Sequence, residues 1–390
     1  MKNKILLLVP LFVLFSVSSG LAQKAERQIS FARESKPHSY YVEQAGLWSK
    51  ELAKDSTSED NWYNFFRACR NAYGSANWKS DFIKESSALR NGPDILTAME
   101  KHIPNSFTYN YLQYLEGGII PSRSPYLLKA YAMNPDFEGI SSSMISYAVS
   151  VGNDSLRKEV NKKWYPKNEI ASGLISYAYN VLMSLDSNAI IFSESDNDTY
   201  PLLMLQDALG IRTDVKVINI DFLLIDSYRS AIFNTLGIPA VAIDANPDIY
   251  EMNWQKVLGQ CLKFYKGKQP MYVAMTISPS MYKEYEKNLT VSGLAYRFST
   301  TPIDLTDWNR RLYEESFLLD AIKHPLITEQ NQKNVDMHNL SYIDFFKTIY
   351  TDSVSHHDIA RAQKVKTLAM NLVSRMGHPD WNEQVSNEFK

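Results

Sequence analysis

The sequence predicts an all-α region followed by an α/β domain with a parallel sheet, closed by further helices. Three observations predict it. From residue 39 to 188, apolar and aromatic residues recur at three- and four-residue spacing, the helical period. At Asn188 the pattern changes to short Ile- and Val-rich runs alternating with amphipathic segments, the signature of strand–helix–strand units. After Pro302 the helical spacing returns. The expected divisions are residues 1–22, 23–187, 188–304 and 305–390.

The first division is a leader. Lys2 and Lys4 give a basic start, residues 5–17 form an apolar run, and small residues end at Ala22. This is the form of a Sec signal peptide cleaved after Ala22. A membrane anchor needs about 20 apolar residues, and no cysteine follows the cleavage point to carry a lipid. Export is therefore expected, to the periplasm or beyond, with no stable membrane insertion. Without Lys2 and Lys4 the chain has 39 basic and 43 acidic residues. That balance gives no electrostatic reason to bind nucleic acid. A hydrophobic content of 45% supports substantial cores. Cys69 and Cys261 lie in different regions. They are read either as two buried thiols or as a disulfide permitted in an oxidising compartment.

In the helical region, residues 40–54 carry Tyr41, Ala45, Trp48 and Leu52 on one face. Ser58 is placed to cap the next helix, 61–73, whose Trp62, Phe65, Phe66, Cys69 and Tyr73 share a face. Helices follow at 94–102, 107–115, 125–133, 141–151, 156–164 and 170–185, punctuated by Pro104, Pro121, Pro135 and Pro166. Segments such as YLLKAYAMNPDF, residues 126–137, look like tetratricopeptide helix hairpins. Stacked pairs of that type present a binding surface to a protein partner. The alternative is an ordinary helical domain. The aromatic-rich stretch from Tyr40 to Tyr73 is read mainly as core, with any excess lining a groove for a peptide or glycan.

In the α/β region, strands are expected at 189–193, 215–220, 240–243 and 271–277, with an edge strand at 295–299. Helices are expected at 200–209, ended by Gly210, and at 225–236, 254–265 and 281–287. The arrangement is Rossmann-like in the sense of a parallel sheet with right-handed crossovers. The C-terminal helices are 306–322, 342–350 and 358–376. The last places Ala362, Val365, Leu368, Ala369, Leu372 and Val373 on one face.

The phrases SESDNDTYPLLMLQDAL and GIRTDVKVINIDFL, then TISPSMY and GLAYRFS, occur in this order between residues 189 and 300. They resemble the soluble C-terminal region of a Bacteroidetes-type family of multi-spanning membrane proteins related to protein O-mannosyltransferases. Members carry an acidic DNDT-aromatic-Pro turn after a strand and a GIRxDVxVxN strand entry. In that family the glycosyl transfer is expected in the membrane-embedded part. Here a leader and a helical domain stand in its place. The resemblance therefore implies the fold and the turn, and not the transferase activity.

Open α/β sheets bind ligands just past their strand ends. Glu194, Asp196, Asn197, Asp198 and Thr199 stand at the end of the first strand, and Asp221 at the end of the second. Neighbouring carboxylates raise one another's pKa or recruit a cation, so Ca²⁺ or Mg²⁺ is a possible occupant. They also accept hydrogen bonds from sugar hydroxyls. The competing reading is a capping turn, with Asp198 or Thr199 as N-cap and Pro201 in the first turn. Arg297 either meets the acidic turn or is an ordinary edge-strand arginine. No glycine-rich phosphate loop follows the first strand, and there is no G-x-S-x-G or H-E-x-x-H motif. The pair His356-His357 precedes a helix that Asp358 is placed to cap, which favours a cap over a metal site there. No resident cofactor is expected. The sequence thus reads as an exported, non-catalytic binding or assembly protein of the cell envelope. The alternative is a carbohydrate or cell-envelope enzyme for glycosyl transfer or hydrolysis, with Asp196 and Asp198 as its acid–base pair.

Overall fold

A computed structural model describes residues 24–76, 89–244, 250–324, 328–329 and 331–390. The expected leader, residues 1–22, lies outside them. The eight expected N-terminal helices all form: His38–Lys54, Glu59–Ser75, Gly92–His102, Phe107–Gly117, Ser124–Met133, Ile140–Ser150, Asp154–Trp164 and Ser172–Met183. Short polar caps define several of them. Ser58 accepts from the Asn61 amide at 3.3 Å, as expected, and Ser106 and Asn153 accept from Tyr109 and Leu156 at 3.0 Å. Each cap satisfies an amide that the helix itself leaves open. Successive helices pack in pairs, the first on the second and Ile140–Ser150 on Asp154–Trp164.

Five short strands form one sheet: β1 (Ile190–Ser193), β2 (Lys216–Asn219), β3 (Met271–Ala274), β4 (Leu289–Ser292) and β5 (Ala295–Phe298), in the order β2-β1-β3-β5-β4. β1 is parallel to both β2 and β3, and the helix Ser195–Leu209 connects β1 to β2. All four residues of β1 are fully buried, which accounts for its continuous apolar sequence. The sheet is mixed, however, and not all-parallel. β5 runs antiparallel to β3 and pairs with β4 on its other side, so it is internal where an edge strand was expected. The two are joined by a two-residue turn that begins at Gly293, φ 58°. A positive φ at the first turn position is what this class of hairpin requires.

Two other expectations fail for identifiable reasons. Residues 240–243 form no strand. The Asn253 side chain instead brackets the backbone of Asp244, accepting its N–H at 3.2 Å and donating to its C=O at 2.6 Å. The expected helix 306–322 is broken into Thr306–Arg311, a wider turn at Leu312–Ser316, and Asp320–Lys323. Here the buried Asn180 side chain accepts from the Leu318 N–H at 2.8 Å and donates to its C=O at 2.9 Å, drawing the chain out of the helix.

The chain closes with Gln332–Asn339, Tyr342–Ser355, Ile359–Arg375 and Pro379–Glu388. Asp358 caps Ile359–Arg375 by accepting from the Arg361 amide at 3.0 Å. All six apolar residues expected on that helix's inner face are buried, and it packs on Tyr342–Ser355. One continuous core runs from Tyr41 to Phe389, so helices and sheet are packed as a unit. Cys69 and Cys261 are buried free thiols. Burial pushes them up to about 11 and about 12 respectively. Among the described residues, no helix is long and apolar enough to cross a membrane.

Candidate functional site

Parallel pairing of β1 with β2 places their C-terminal ends side by side, with Ser193 opposite Asn219. The acidic turn and Asp221 therefore meet. The Ser195 amide donates to Asp221 Oδ2 at 2.8 Å. Asn219 fastens the two ends. Its Oδ1 accepts from the amides of Asp221 and Phe222, at 2.7 and 3.2 Å, and its Nδ2 donates to Thr199 Oγ1 at 2.7 Å. The Thr199 hydroxyl also lies 2.8 Å from Ser193 Oγ.

The helix after β1 starts at Ser195, five residues earlier than the expected 200–209, and Glu194 is its N-cap. Neither Asp198 nor Thr199 is the cap. Asp198 lies a turn inside and its carboxylate reaches back to the Glu194 amide at 2.9 Å, as the acidic member of a capping box does. Pro201 sits within the helix and removes one backbone donor there. Ser195 takes a left-handed φ of 60°, so the chain turns sharply from strand to helix. That conformation is uncommon for a residue with a side chain.

These side chains face two ways. Asp198 and Thr199 are buried beneath the turn, while Asp196, Asn197 and Asp221 line a cavity of about 830 Å³. The helical half supplies the cavity's other walls, including Arg67, Tyr114 and Trp164. Asp196 is exposed at the turn and borders the cavity. Asn197 turns aside and donates to the Ala32 carbonyl at 2.9 Å, which also receives amides from Asn331 and Asn334. Three amides thus hold the N-terminal segment against the cavity's edge, where Ala32 and Arg33 contribute to the lining. Glu194 lies at the turn with its carboxylate 3.4 Å from the Ser278 amide.

Burial raises the proton affinity of Glu194, Asp196, Asp198 and Asp221. Asp198 is pushed up to about 6, the Glu194 amide opposing the shift. Asp196 is raised by burial, against a hydrogen bond from Tyr200. Asp221 is raised by burial, against the Ser195 amide. Glu194 is raised by burial and then by the charge of Asp221. Among the described residues, no three acidic, histidine or cysteine side chains converge closely enough to hold a metal ion. His356 lies 3.2 Å from the carboxylate of Asp352, on which Arg310 and Arg361 form ion pairs.

Arg297 is not part of this arrangement. It pairs with Asp186 at 2.8 Å. β5 runs antiparallel, so Arg297 lies toward the opposite end of the sheet, where Asp186 precedes β1. Sequence reasoning missed Asn219, Ser195, Arg67 and Tyr114. Asn219 was within reach, as the last residue of the GIRxDVxVxN phrase. The other three were not, because only the packing of the helical half over the strand ends gives them a common cavity.

No curated protein and no solved structure matches the chain. Residues 174–258 match a family described as TMEM260-associated domain 2, O-mannosyltransferase-related. That segment is under a quarter of the chain. It is nonetheless the part that carries β1, the acidic turn, Asn219 and Asp221, so the similarity covers the sheet side of the cavity and, of its helical walls, only Ser172–Met183.

Proposed function

We propose that this chain is an exported, non-catalytic binding protein of the cell envelope that holds a polyhydroxylated small molecule, of the sugar class, in the cavity over β1 and β2. The observation that carries the reading is the cavity itself. It is of small-molecule size. It lies at the C-terminal ends of parallel strands, the usual place for a ligand in such sheets. Its polar groups also suit hydroxyls. Asp196 and Asp221 accept, and when protonated also donate, while Tyr165, 37% exposed on the lining, offers apolar ring surface for a sugar's C–H face. Export rests on the sequence of residues 1–22. A tetratricopeptide-like stack would add a protein-binding face, and Leu128 and Met133 on the helix Ser124–Met133 are exposed apolar candidates for it.

One observation favours a catalytic reading. Asp196 and Asp221 share a cavity and both hold protons more tightly than ordinary carboxylates, which is how acid–base groups are prepared. Asp198 does not fit that role, since its carboxylate is committed to the Glu194 amide.

Thermal unfolding of the purified protein with Ca²⁺, Mg²⁺ and a panel of neutral sugars tests the proposal, because a ligand that binds only the folded state raises the midpoint. The expected result is a rise with a sugar that Asp196→Asn abolishes. No rise with any of them rejects the cavity as a sugar site. Release of reducing ends from a glycan, lost in Asp196→Asn, would replace the binding reading by the catalytic one.

A further inference from the structure

The cavity lining also holds two cations from the helix Glu59–Ser75, Arg67 and Arg70. We propose that Arg67 and Arg70 form an oxyanion subsite, so that the ligand is an acidic sugar, a sugar phosphate or a uronic acid, with its anion on the arginines and its hydroxyls toward Asp196 and Asp221. The inference rests on the sugar-binding reading above and narrows it.

Arg67 carries the argument. Its side chain is 7% exposed, so it is more than nine-tenths buried, and it lines the cavity. Among the described residues no carboxylate pairs with it. Its Nε donates to the Tyr63 hydroxyl at 3.2 Å and its guanidinium lies 5.5 Å from the centre of the Tyr63 ring. The Tyr111 hydroxyl is its other polar neighbour. A guanidinium has five N–H donors, and two neutral hydroxyls leave most of them unused. A buried cation with only neutral partners is costly, and a bidentate oxyanion is the partner whose geometry matches the fork.

Arg70, one turn further along the same helix, adds a second cation. Its nearest acid is Glu116 at 3.8 Å, a loose contact. The two are three residues apart on one helix face, and burial and then the charge of Arg67 lower its proton affinity. The remaining cavity charges have partners of their own. Arg33 pairs with Glu138, Glu329 accepts from the Gly173 amide, and Glu169, whose charge reaches Tyr111, accepts from the Gly139 amide and the Trp164 indole. Phe107–Gly117 runs past both sets of charges: the Tyr111 hydroxyl neighbours Arg67, and Tyr114 lines the same cavity as Asp196.

The test is calorimetric titration of the purified protein with glucose, glucose 6-phosphate, galactose, galacturonate and inorganic phosphate. At least one acidic sugar is expected to bind tenfold or more tighter than its neutral parent, and the two acids tell phosphate from carboxylate. Arg67→Gln is expected to remove that advantage, Arg67→Lys to keep part of it, and Asp196→Asn to weaken acidic and neutral sugars alike. Arg70→Gln is the second variant, since its side chain is less enclosed and its loss threatens the fold less. It is expected to weaken the acidic sugar severalfold. The subsite is overturned if acids bind no better than their neutral parents or if neither arginine variant changes the preference. Neutral sugars that still bind in that case leave the cavity reading standing. Failure of every sugar, neutral and acidic, overturns both.

Discussion

At the scale of single residues, Asn219 and Asp198 shape the acidic turn by opposite means. Asn219 is 4% exposed and its amide serves two backbone N–H groups and the Thr199 hydroxyl. Asn219→Ala leaves those groups buried without partners, at a cost of roughly 2–3 kcal/mol. Urea unfolding is expected to show that loss, and a smaller one would mean the loop after β2 is held by other contacts. Asp198 destabilises when charged. Its folded-state value, about 6, stands above the ordinary 3.8, so the folded chain holds the proton more tightly than the unfolded one. The resulting stability is complete below the unfolded value and is lost as pH rises through about 6. Between pH 7 and pH 5 the gain from this one group is about 1 kcal/mol. His338 acts in the other direction. Burial lowers its proton affinity, so its contribution falls as pH drops below the ordinary histidine range. The clean measurement is therefore the difference between wild type and Asp198→Asn, in urea, at pH 7 and pH 5. The variant is expected to lack that gain on acidification, and equal pH slopes would contradict it.

At the scale of elements, what was legible followed from local chemistry, and what was missed followed from distant side chains. All eight N-terminal helices and the face of Ile359–Arg375 could be read from apolar spacing, even though Glu59–Ser75 and Phe107–Gly117 are buried nearly all round and Ile359–Arg375 on one stripe. β1 and β2 could be read from apolar runs, and parallel pairing then brought Asp221 to the acidic turn. The break at Phe317 could not be read, because Asn180 causes it from 138 residues away. The start of the site helix was masked by Pro201, which looks like a first-turn proline and lies inside. The β4–β5 hairpin left a signal that went unused, the glycine between two short β-prone runs. Gly293 is constrained twice. Its φ is 58°, and a Cβ there would stand 2.1 Å from Ser184 Oγ and 2.8 Å from the Phe317 ring. Gly293→Ala therefore meets both backbone strain and a packed side chain, and is expected to cost about 2 kcal/mol or more. Loss of less than about 1 kcal/mol in a chemical denaturation curve would mean the turn can re-form without its left-handed residue.

At the scale of the whole molecule, the cavity exists only while the helical half stays seated on the sheet, so the contacts between them bear on function. The central one is ionic. Arg157, on Asp154–Trp164, forks onto Asp207, near the end of the site helix, at 2.9 and 3.1 Å, and Asn161 adds a third bond at 2.8 Å. The Asp207 side chain is 2% exposed. Nearby, the Tyr200 hydroxyl meets Ser146, joining the site helix to Ile140–Ser150. With one core running through both halves, unfolding is expected to be a single cooperative step. Far-UV dichroism should then coincide with tryptophan fluorescence, to which both halves contribute, Trp62 and Trp164 as well as Trp254 and Trp308. Arg157→Ala strands a buried carboxylate and is expected to cost about 3–5 kcal/mol, whereas replacing both partners by apolar residues should recover most of that. The two outcomes separate the roles of this pair. If Arg157→Ala merely lowers one shared transition, the pair stabilises a unit that folds together. If it splits the transition, with the helices melting first, the pair is the hinge on which the cavity closes, and sugar binding should be lost in step with the earlier transition.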